Sequence, residues 1–419
     1  MNASHFDRYA RLLVEHGTGL REGQPLYIHA EVAHRDLVHR IADAAYARGC
    51  SGVSLWLGDP VLEAKRIRNA RLDLVEMSHA RERLWYEEVV LTRGALLSIR
   101  GEENPRLMRD LAEDEPERHA VYTRSANRKA KVFLHHGVNR SLCPWVVAGA
   151  ATPAWAKLVF PRLDADKAQE ALWEKIFAFT YADREDAVDA AAEKDRRLHA
   201  RRQLLDDLKI RQVHITGGGS DLVVGLSDRA RWLGGSKETA DGQVFNANVP
   251  SEENFTTPDR REAEGVLCAT MPFRTKSGLL VEGLVMHFAD GRLVEVEADR
   301  GADGFRRWIA TDVGASYLGE LALVGKDSPI ARSGLFFEHT LFDENAWPHV
   351  ALGQSYSTCL RGGENLSIQQ LESLGANSSS IHTDIMFGSP DVSILATRSA
   401  RGELPLIVDG AWVGPFADP

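Results

Sequence analysis

Two patterns of hydrophobic residues, one of helical spacing and one of short apolar runs, alternate in the first third of the chain. Apolar residues at helical spacing in "RDLVHRIADAAYARG" predict an amphipathic helix that ends at Gly49. On either side of it, "QPLYIHAEV" and "CSGVSLWLGD" are short apolar runs typical of buried strands. Strands that alternate with helices indicate a parallel sheet covered by helices. We therefore predict an α/β N-terminal domain with a parallel sheet.

The pattern changes after residue 210, where short strand-like segments replace the long helices. In "HFADGRLVEVEA" an Asp-Gly pair lies between two alternating runs, which is a strong hairpin signal. The highly charged segment 182–207 has Leu and Ala at helical spacing, and we take it as the hinge region and first helix of a second domain. The predicted domains are residues 1–185 and a β-rich α+β domain of residues 186–419.

Two short segments between these patterns carry less clear signals. "TPAWAKLVFP" is predicted as a loop with a short apolar turn. "FLHHG" is predicted as a strand that points His135 and His136 to opposite faces, so we expect no metal shared by them. "GGGSDLVVGL" lacks the GxGxxG spacing and the following helix of a phosphate-binding loop, so a turn is expected there.

Composition narrows the class of protein. Of 419 residues, 44% are hydrophobic and 26% are charged, which is ordinary for a globular protein with sizeable cores. A net charge of −10 argues against a nucleic-acid-binding surface, and without a long apolar run we expect no membrane-spanning helix. The first residues lack the apolar core of a signal peptide. Four widely spaced cysteines without a CxxC pair indicate isolated thiols in a reducing compartment, so we expect a cytoplasmic location.

The candidate chemistry lies in the β-rich half. His382 and Asp384 are two residues apart in the strand-like run "IHTDIMFG", which points both side chains to one face of a strand. An imidazole nitrogen and a carboxylate oxygen on one face can bind one cation. The alternative is an aspartate that only orients the histidine, or a plain surface pair.

Carboxylates in unusual surroundings mark two further stretches. Glu320 interrupts the apolar run "YLGELALV", where a buried carboxylate is costly unless it is paired or metal-bound. Its alternative is the exposed face of an edge strand. Glu252 and Glu253 are adjacent in "NVPSEENFTTPD", where an acidic pair at a helix start is the alternative to metal binding.

A fourth stretch, "TLFDENAWPHVALGQSY", contains Asp343, Glu344, His349 and Tyr356. Pro348 disfavours a helix there, so a loop that enters a strand is expected to bring these residues together. A turn capped by a polar side chain is the alternative.

The four stretches together contain two histidines and several carboxylates, which suit two divalent ions a few ångströms apart. Two such ions activate a shared water and stabilise the oxyanion of a tetrahedral intermediate, as amide hydrolysis requires. Because no cysteine lies near the candidate ligands, zinc, cobalt, manganese or magnesium would fit.

Four motifs carry a family resemblance. "NVPSEENFTTPD", "GELALV", "LFDENAWPHVALGQSY" and "IHTDIMFGS", in this order, resemble the M29 metallopeptidases, a thermophilic aminopeptidase family also called the aminopeptidase T family. "TPAWAKLVFP" is also similar to a segment of its N-terminal half. The resemblance implies a two-domain metal-dependent aminopeptidase that acts on peptides, with two divalent metals in an enclosed cavity of a homodimer.

The resemblance also implies roles for single residues. Glu320 would bridge the two metals, and Tyr356 would donate a hydrogen bond to the oxyanion. By analogy with other two-metal aminopeptidases, Glu252 would be the general base and Glu253 a ligand, although the resemblance alone leaves open which of the two binds metal. The implied metal ligands are Glu253, Glu320, Glu344, His349, His382 and Asp384.

Two other functions compete with this interpretation. His349, His382 and one carboxylate could form the iron site of a ring-cleaving dioxygenase on the same fold. Such a single-metal site would not need Glu253, Glu320 and Glu344 together, so two metals are favoured. A peptide-binding or metal-binding protein without catalysis is the third possibility.

Overall fold

The computed structural model describes residues 2–77, 80–275, 278–398 and 402–419. Within these residues, helices and strands alternate in the first part of the chain and strands predominate in the second. The helices are α1 (Ala3–Leu12), α2 (Arg35–Ala47), α3 (Pro60–Asn69), α4 (Leu72–Glu76), α5 (Ala80–Leu91), α6 (Leu107–Asp114), α7 (Pro116–Lys129), α8 (Pro153–Val159), α9 (Ala165–Phe179), α10 (Ala187–Asp207), α11 (Ala302–Ile309), α12 (Pro329–Ser333), α13 (Thr340–Asp343) and α14 (Ile368–Ser373). The strands are β1 (Leu26–Glu31), β2 (Val53–Gly58), β3 (Ala95–Arg100), β4 (Trp145–Gly149), β5 (Ile210–Gly217), β6 (Ser220–Leu226), β7 (Lys237–Glu238), β8 (Val244–Phe245), β9 (Asn248–Val249), β10 (Asn254–Thr256), β11 (Pro258–Cys268), β12 (Phe273–Arg274), β13 (Leu280–Val281), β14 (Val285–Ala289), β15 (Arg292–Glu297), β16 (Leu318–Leu323), β17 (His349–Gly353), β18 (His382–Met386), β19 (Ser393–Arg398), β20 (Gly402–Val408) and β21 (Ala411–Trp412).

The chain divides into two compact units that are interleaved in sequence. One unit takes in the chain up to Lys194 together with residues 236–250, and the other takes in residues 195–235 and 251–419. The predicted domain division at residue 185 stays a prediction. No helix in the described part of the chain is long and apolar enough to cross a membrane.

A parallel sheet forms the centre of the first unit. Its strand order is β2-β1-β3-β4-β9, and each neighbouring pair is parallel. Strands β1 and β3 are nearly continuous runs of buried residues, as expected for strands that are covered by helices on both faces. The predicted α/β fold with a parallel sheet is confirmed.

The second unit contains two antiparallel sheets with a common core. The larger has the order β15-β14-β11-β6-β5-β19-β20-β21 and the smaller β10-β16-β17-β18. Leu222 and Ile394 of the larger sheet and Leu321, Val350 and Ile385 of the smaller one belong to the same buried cluster. This arrangement confirms the predicted β-rich second part of the chain.

The alternation of side chains from Glu320 onward in β16 and along β17 and β18 gives the smaller sheet two different faces. Leu321, Val350 and Ile385 point into the core, so the residues between them point to the other face. The register pairs Glu320 with Ala351 and Ala351 with Asp384, so these three form one row across β16, β17 and β18. The sheet therefore carries carboxylates on the face that lies away from its hydrophobic core.

Local sequence signals predict the β14–β15 hairpin but not helix α8. The Asp290-Gly291 pair does join β14 to β15, with both residues at positive φ, as the hairpin prediction requires. The loop predicted for "TPAWAKLVFP" is wrong, because helix α8 starts there. Its cap is Thr152, whose hydroxyl accepts a hydrogen bond from the Trp155 amide, and proline occupies its first turn.

The strand predicted for "FLHHG" is also wrong. These residues form the helical turn Phe133–Val138, in which the rings of His135 and His136 lie 4.7 Å apart between centroids. The apolar residues of so short a run do not distinguish a buried strand from a helical turn.

We expect Gly353→Ala to destabilise the protein strongly. Gly353 has a φ of +105°, and a Cβ atom built there would lie 2.2 Å from the Ile381 carbonyl oxygen. The strain of a positive φ and the overpacking together should lower the free energy of unfolding by about 2–5 kcal/mol. Gly362→Ala is the matched control, since Gly362 has a φ of +75° but open space around its Cα, and it should cost about 1–2 kcal/mol. Equal shifts of the two urea midpoints would contradict the clash at Gly353.

Candidate metal centre

The smaller sheet of the second unit holds one group of predicted ligands. His382 and Asp384 share a face of β18, and Glu320 lies on the same face of β16. The Nε2 atom of His382 is 3.1 Å from Glu320 Oε2 and 3.3 Å from Asp384 Oδ1. Their neighbours on the intervening strand β17 are Ala351 and Gly353, whose small size leaves room for the longer side chains.

A second group lies at the other end of the same sheet face. Glu253 directly precedes β10, and His349 is the first residue of β17. Both residues are buried, and His349 Nε2 is 3.4 Å from Glu253 Oε2. Helix α13 ends at Asp343, and after a turn the chain enters the strand at His349, as the sequence predicted.

The two groups share one residue. Glu253, Glu320 and His349 offer one donor atom each within 4.8 Å of one another, and so do Glu320, His382 and Asp384. Ligands about 2.1 Å from a tetrahedral ion lie about 3.4 Å from one another, close to the distances between the donor atoms above. Each group therefore has donor atoms that could hold a divalent cation, and Glu320 belongs to both groups.

Backbone carbonyls orient both histidines. His382 Nδ1 lies 2.8 Å from the Gln354 carbonyl oxygen, and His349 Nδ1 lies 3.3 Å from that of Trp347. A carbonyl only accepts hydrogen bonds, so Nδ1 carries the proton in each ring. Nε2 is then directed at the carboxylates, the arrangement that proteins use to fix a metal-binding imidazole.

The electrostatics of the cluster favour cations. Burial alone would lower the pKa of His382, but the charges and hydrogen bonds of Asp384 and Glu320 outweigh it and raise the pKa well above its ordinary value. Burial, followed by the charges of Asp384, Glu253 and Glu320, raises the pKa of Glu344 well above the usual range. Carboxylates packed this closely are stabilised by a divalent cation.

Two of the predicted acidic residues lie beside the donor groups. Glu344 and Glu252 belong to neither group among the described residues, although Glu344 is close enough to feel the charges of Asp384 and Glu253. Glu252 is buried, and its negative charge reaches the buried Arg201. Of the adjacent pair Glu252 and Glu253, only Glu253 contributes a donor atom to a group.

Tyr356 lies against the first group, that of Glu320, His382 and Asp384. Its ring centroid is 5.2 Å from that of His382 and 5.9 Å from that of Phe255. Although 44% of its surface is exposed, burial of its phenol group raises its pKa well above the ordinary value, and so do the charges of Glu320 and Asp384. The hydroxyl therefore keeps its proton and can donate a hydrogen bond.

Asn345 is a site residue that the sequence did not reveal. It is fully buried, and its Oδ1 accepts a hydrogen bond of 2.6 Å from the Glu252 amide while its Nδ2 donates to the Leu341 carbonyl at 2.9 Å. It thereby ties the segment of Glu252 and Glu253 to the segment of Glu344. The sequence gives no signal for this role, because the partner of Asn345, Glu252, lies 93 residues away along the chain.

Asp343 takes the turn-capping role that was the alternative for its stretch. Its two carboxylate oxygens accept hydrogen bonds of 2.8 Å from the amides of Phe337 and His339. Burial raises its pKa to about 7. Asp343 therefore fixes the loop in front of α13.

Comparison with known proteins gives a consistent result. The family model of the thermophilic metalloproteases (M29) matches residues 2–412. The chain is 36% identical to aminopeptidase T of Thermus aquaticus over 98% of both chains, and 32% identical to aminopeptidase AmpS of Bacillus subtilis over 96% of this chain and 97% of that protein. The solved structure of wild-type AmpT from Thermus thermophilus matches with a TM-score of 0.90 at 34% identity, over 98% of this chain and 99% of that one.

We expect Asn345→Ala to weaken metal binding about 10–100-fold, because it releases the segment that carries Glu253. Isothermal titration of the metal-free protein with zinc measures the effect. Asn246→Ala is the control, since Asn246 is a buried asparagine of the first unit that donates to the His16 carbonyl at 3.1 Å. An unchanged zinc affinity in Asn345→Ala would contradict the positioning role.

Proposed function

This chain belongs to the M29 family of thermophilic metalloproteases and is a metal-dependent aminopeptidase, and we propose that it works with two divalent ions in one centre. The observation that carries the proposal is the position of Glu320, which contributes to both groups of donor atoms. A carboxylate between two ions a few ångströms apart is a recurring feature of two-metal hydrolases. The substrates are peptides with a free N-terminus.

The ligands divide between the two ions. Glu253 and His349 would hold one ion and His382 and Asp384 the other, with Glu320 as the bridge and Glu344 completing the set. When bound, the ions would polarise the scissile carbonyl and make the attacking water more acidic. The donor set contains no thiolate, so zinc, cobalt, manganese and magnesium all suit it.

The protein's own groups would handle the protons. Glu252 would take a proton from the water as its oxygen bonds to the carbonyl carbon, and would pass it to the leaving amine as the carbon–nitrogen bond breaks. Tyr356 would donate a hydrogen bond to the carbonyl oxygen as negative charge develops there. Asn345 supports this step by holding the Glu252 amide.

The dioxygenase alternative receives no support. A facial triad needs two histidines at one ion, whereas His349 and His382 belong to separate groups that share only Glu320. The relatives are named aminopeptidases, which also disfavours a binding protein without catalysis. We further propose a homodimer, from the family resemblance, and a cytoplasmic location, from the spacing of the cysteines.

Metal analysis with a panel of aminoacyl-p-nitroanilides tests the two-metal proposal. The purified protein should hold about two ions per chain after loading with zinc, cobalt or manganese. His382→Ala should reduce this to about one ion and lower kcat/KM by at least about 10²-fold, since one half of the centre loses its imidazole.

The control for His382→Ala is His214→Ala. His214 also contacts a carboxylate, with Nε2 2.7 Å from Asp221 Oδ1, but this pair is exposed and lies outside the metal groups. The His214→Ala protein should therefore keep both ions and full activity. One ion per chain in the native protein, together with oxygen uptake, would reverse the assignment.

The roles of the adjacent glutamates are separable. Glu252→Gln should keep both ions and lower kcat by about 10²–10⁴-fold, because it removes a general base. Glu253→Gln should lose one ion, because it removes a ligand. Metal content after dialysis and kcat at saturating metal distinguish the two roles. The opposite pattern would make Glu252 the ligand.

A further inference from the structure

An open cavity of the second unit adjoins the metal centre on one side. Glu344, His382 and Asp384 line it where it meets the predicted metal site. Phe273 and Met386, both buried residues, give the cavity apolar surface. The cavity is thus continuous with the metal centre and has a wall that contributes no ligand.

Arg274 and Glu338 supply the charged part of this wall. Arg274 Nε donates to Glu338 Oε2 at 2.9 Å, and the two side chains are only 23% and 18% exposed. Arg274 also donates through Nη1 to the Gly278 carbonyl at 3.1 Å. A half-buried ion pair with this geometry presents little net charge to the cavity.

The backbone around Glu338 is held in an uncommon conformation. Glu338 has a φ of +52°, in the left-handed region that residues other than glycine seldom adopt. The amides on either side of it, those of Phe337 and His339, both donate to the carboxylate of Asp343. Asp343 immediately precedes the predicted ligand Glu344, so the segment that presents Glu338 is fixed to the segment that presents a ligand. Strained residues that are held in this way occur preferentially at ligand-binding positions.

We propose that this cavity receives the side chain of the substrate's N-terminal residue, and that the Arg274–Glu338 pair restricts it to uncharged, preferentially apolar, residues. This inference rests on the aminopeptidase function proposed above. Glu344 and Asp384 line the cavity and also belong to the proposed metal centre, so a first residue whose carbonyl lies at the centre has the cavity beside it. Its side chain therefore lies next to the cavity wall.

The selectivity follows from desolvation. Leucine or phenylalanine would pack against Phe273 and Met386 at no electrostatic cost. A lysine or glutamate side chain would have to separate Arg274 from Glu338 or remain without a partner in a largely buried place, and both are unfavourable. The ion pair thus discriminates against charge of either sign.

Single substitutions in the pair should change the preference in opposite directions. Arg274→Met leaves Glu338 without its arginine partner, so the ratio of kcat/KM for lysyl- over leucyl-p-nitroanilide should rise by about 10-fold or more. Glu338→Gln removes the negative member, so the ratio for glutamyl- over leucyl-p-nitroanilide should rise similarly. These substrates have no second residue, so the ratios report on the first residue alone.

Two controls separate selectivity from structural damage. Arg274→Lys keeps the charge and should keep the native ratios. Lys129→Met breaks an equally buried ion pair of the first unit, in which Lys129 Nζ lies 2.7 Å from Glu82 Oε2, and should leave all ratios unchanged.

The outcomes distinguish the two proposals. If the metal-loaded native protein hydrolyses none of the three substrates, the aminopeptidase function itself fails. If the native protein is active but both substitutions leave the ratios within about twofold, the function stands and the assignment of the pair is wrong. If the ratios stay constant while preference among leucyl dipeptides with different second residues changes, the cavity receives the second residue and the proposal is overturned.

Discussion

The need to neutralise buried negative charge governs the second unit. Glu344 lies within electrostatic reach of Asp384, Glu253 and Glu320, and burial together with the repulsion from these carboxylates raises its pKa well above the usual range. Two histidines cannot balance four carboxylates, so the arrangement is stable in its charged form only with additional positive charge. Divalent cations supply that charge, whereas additional lysine or arginine side chains would occupy the space in which the substrate reacts. Stability and catalysis thus depend on the same interaction.

The smaller sheet makes this concentration of charge possible. Its core face is apolar, and Leu321, Val350 and Ile385 hold the strands in register. A one-residue slip would turn every carboxylate into the core, so the hydrophobic face fixes the position of the polar one. On the polar face, β17 contributes Ala351 and Gly353 opposite the long side chains of its neighbours. Packing on one side therefore specifies chemistry on the other.

The sequence revealed those parts of the fold and site that depend on local periodicity. The two-residue spacing of His382 and Asp384 was sufficient to place them on one face, and Glu320, the carboxylate in an apolar run, is buried and lies 3.1 Å from His382. Asn345 escaped notice because its role depends on a contact with a distant segment. The helix at "TPAWAKLVFP" was missed because its signal consisted of a cap and a proline rather than a repeated pattern. Contacts between distant segments have no periodicity, so a single sequence does not display them.

The interleaving of the two units has a consequence for protein synthesis. The last strand of the first unit's parallel sheet, β9, comes from residues 248–249 and pairs with β4, made about a hundred residues earlier. A ribosome therefore completes residues 195–235, which belong to the other unit, before the first sheet can receive its final strand. Neither unit can be cut out as one continuous segment. The first unit therefore closes its sheet while most of the second is still to be made, and Glu252 and Glu253 emerge directly after the segment that closes that sheet.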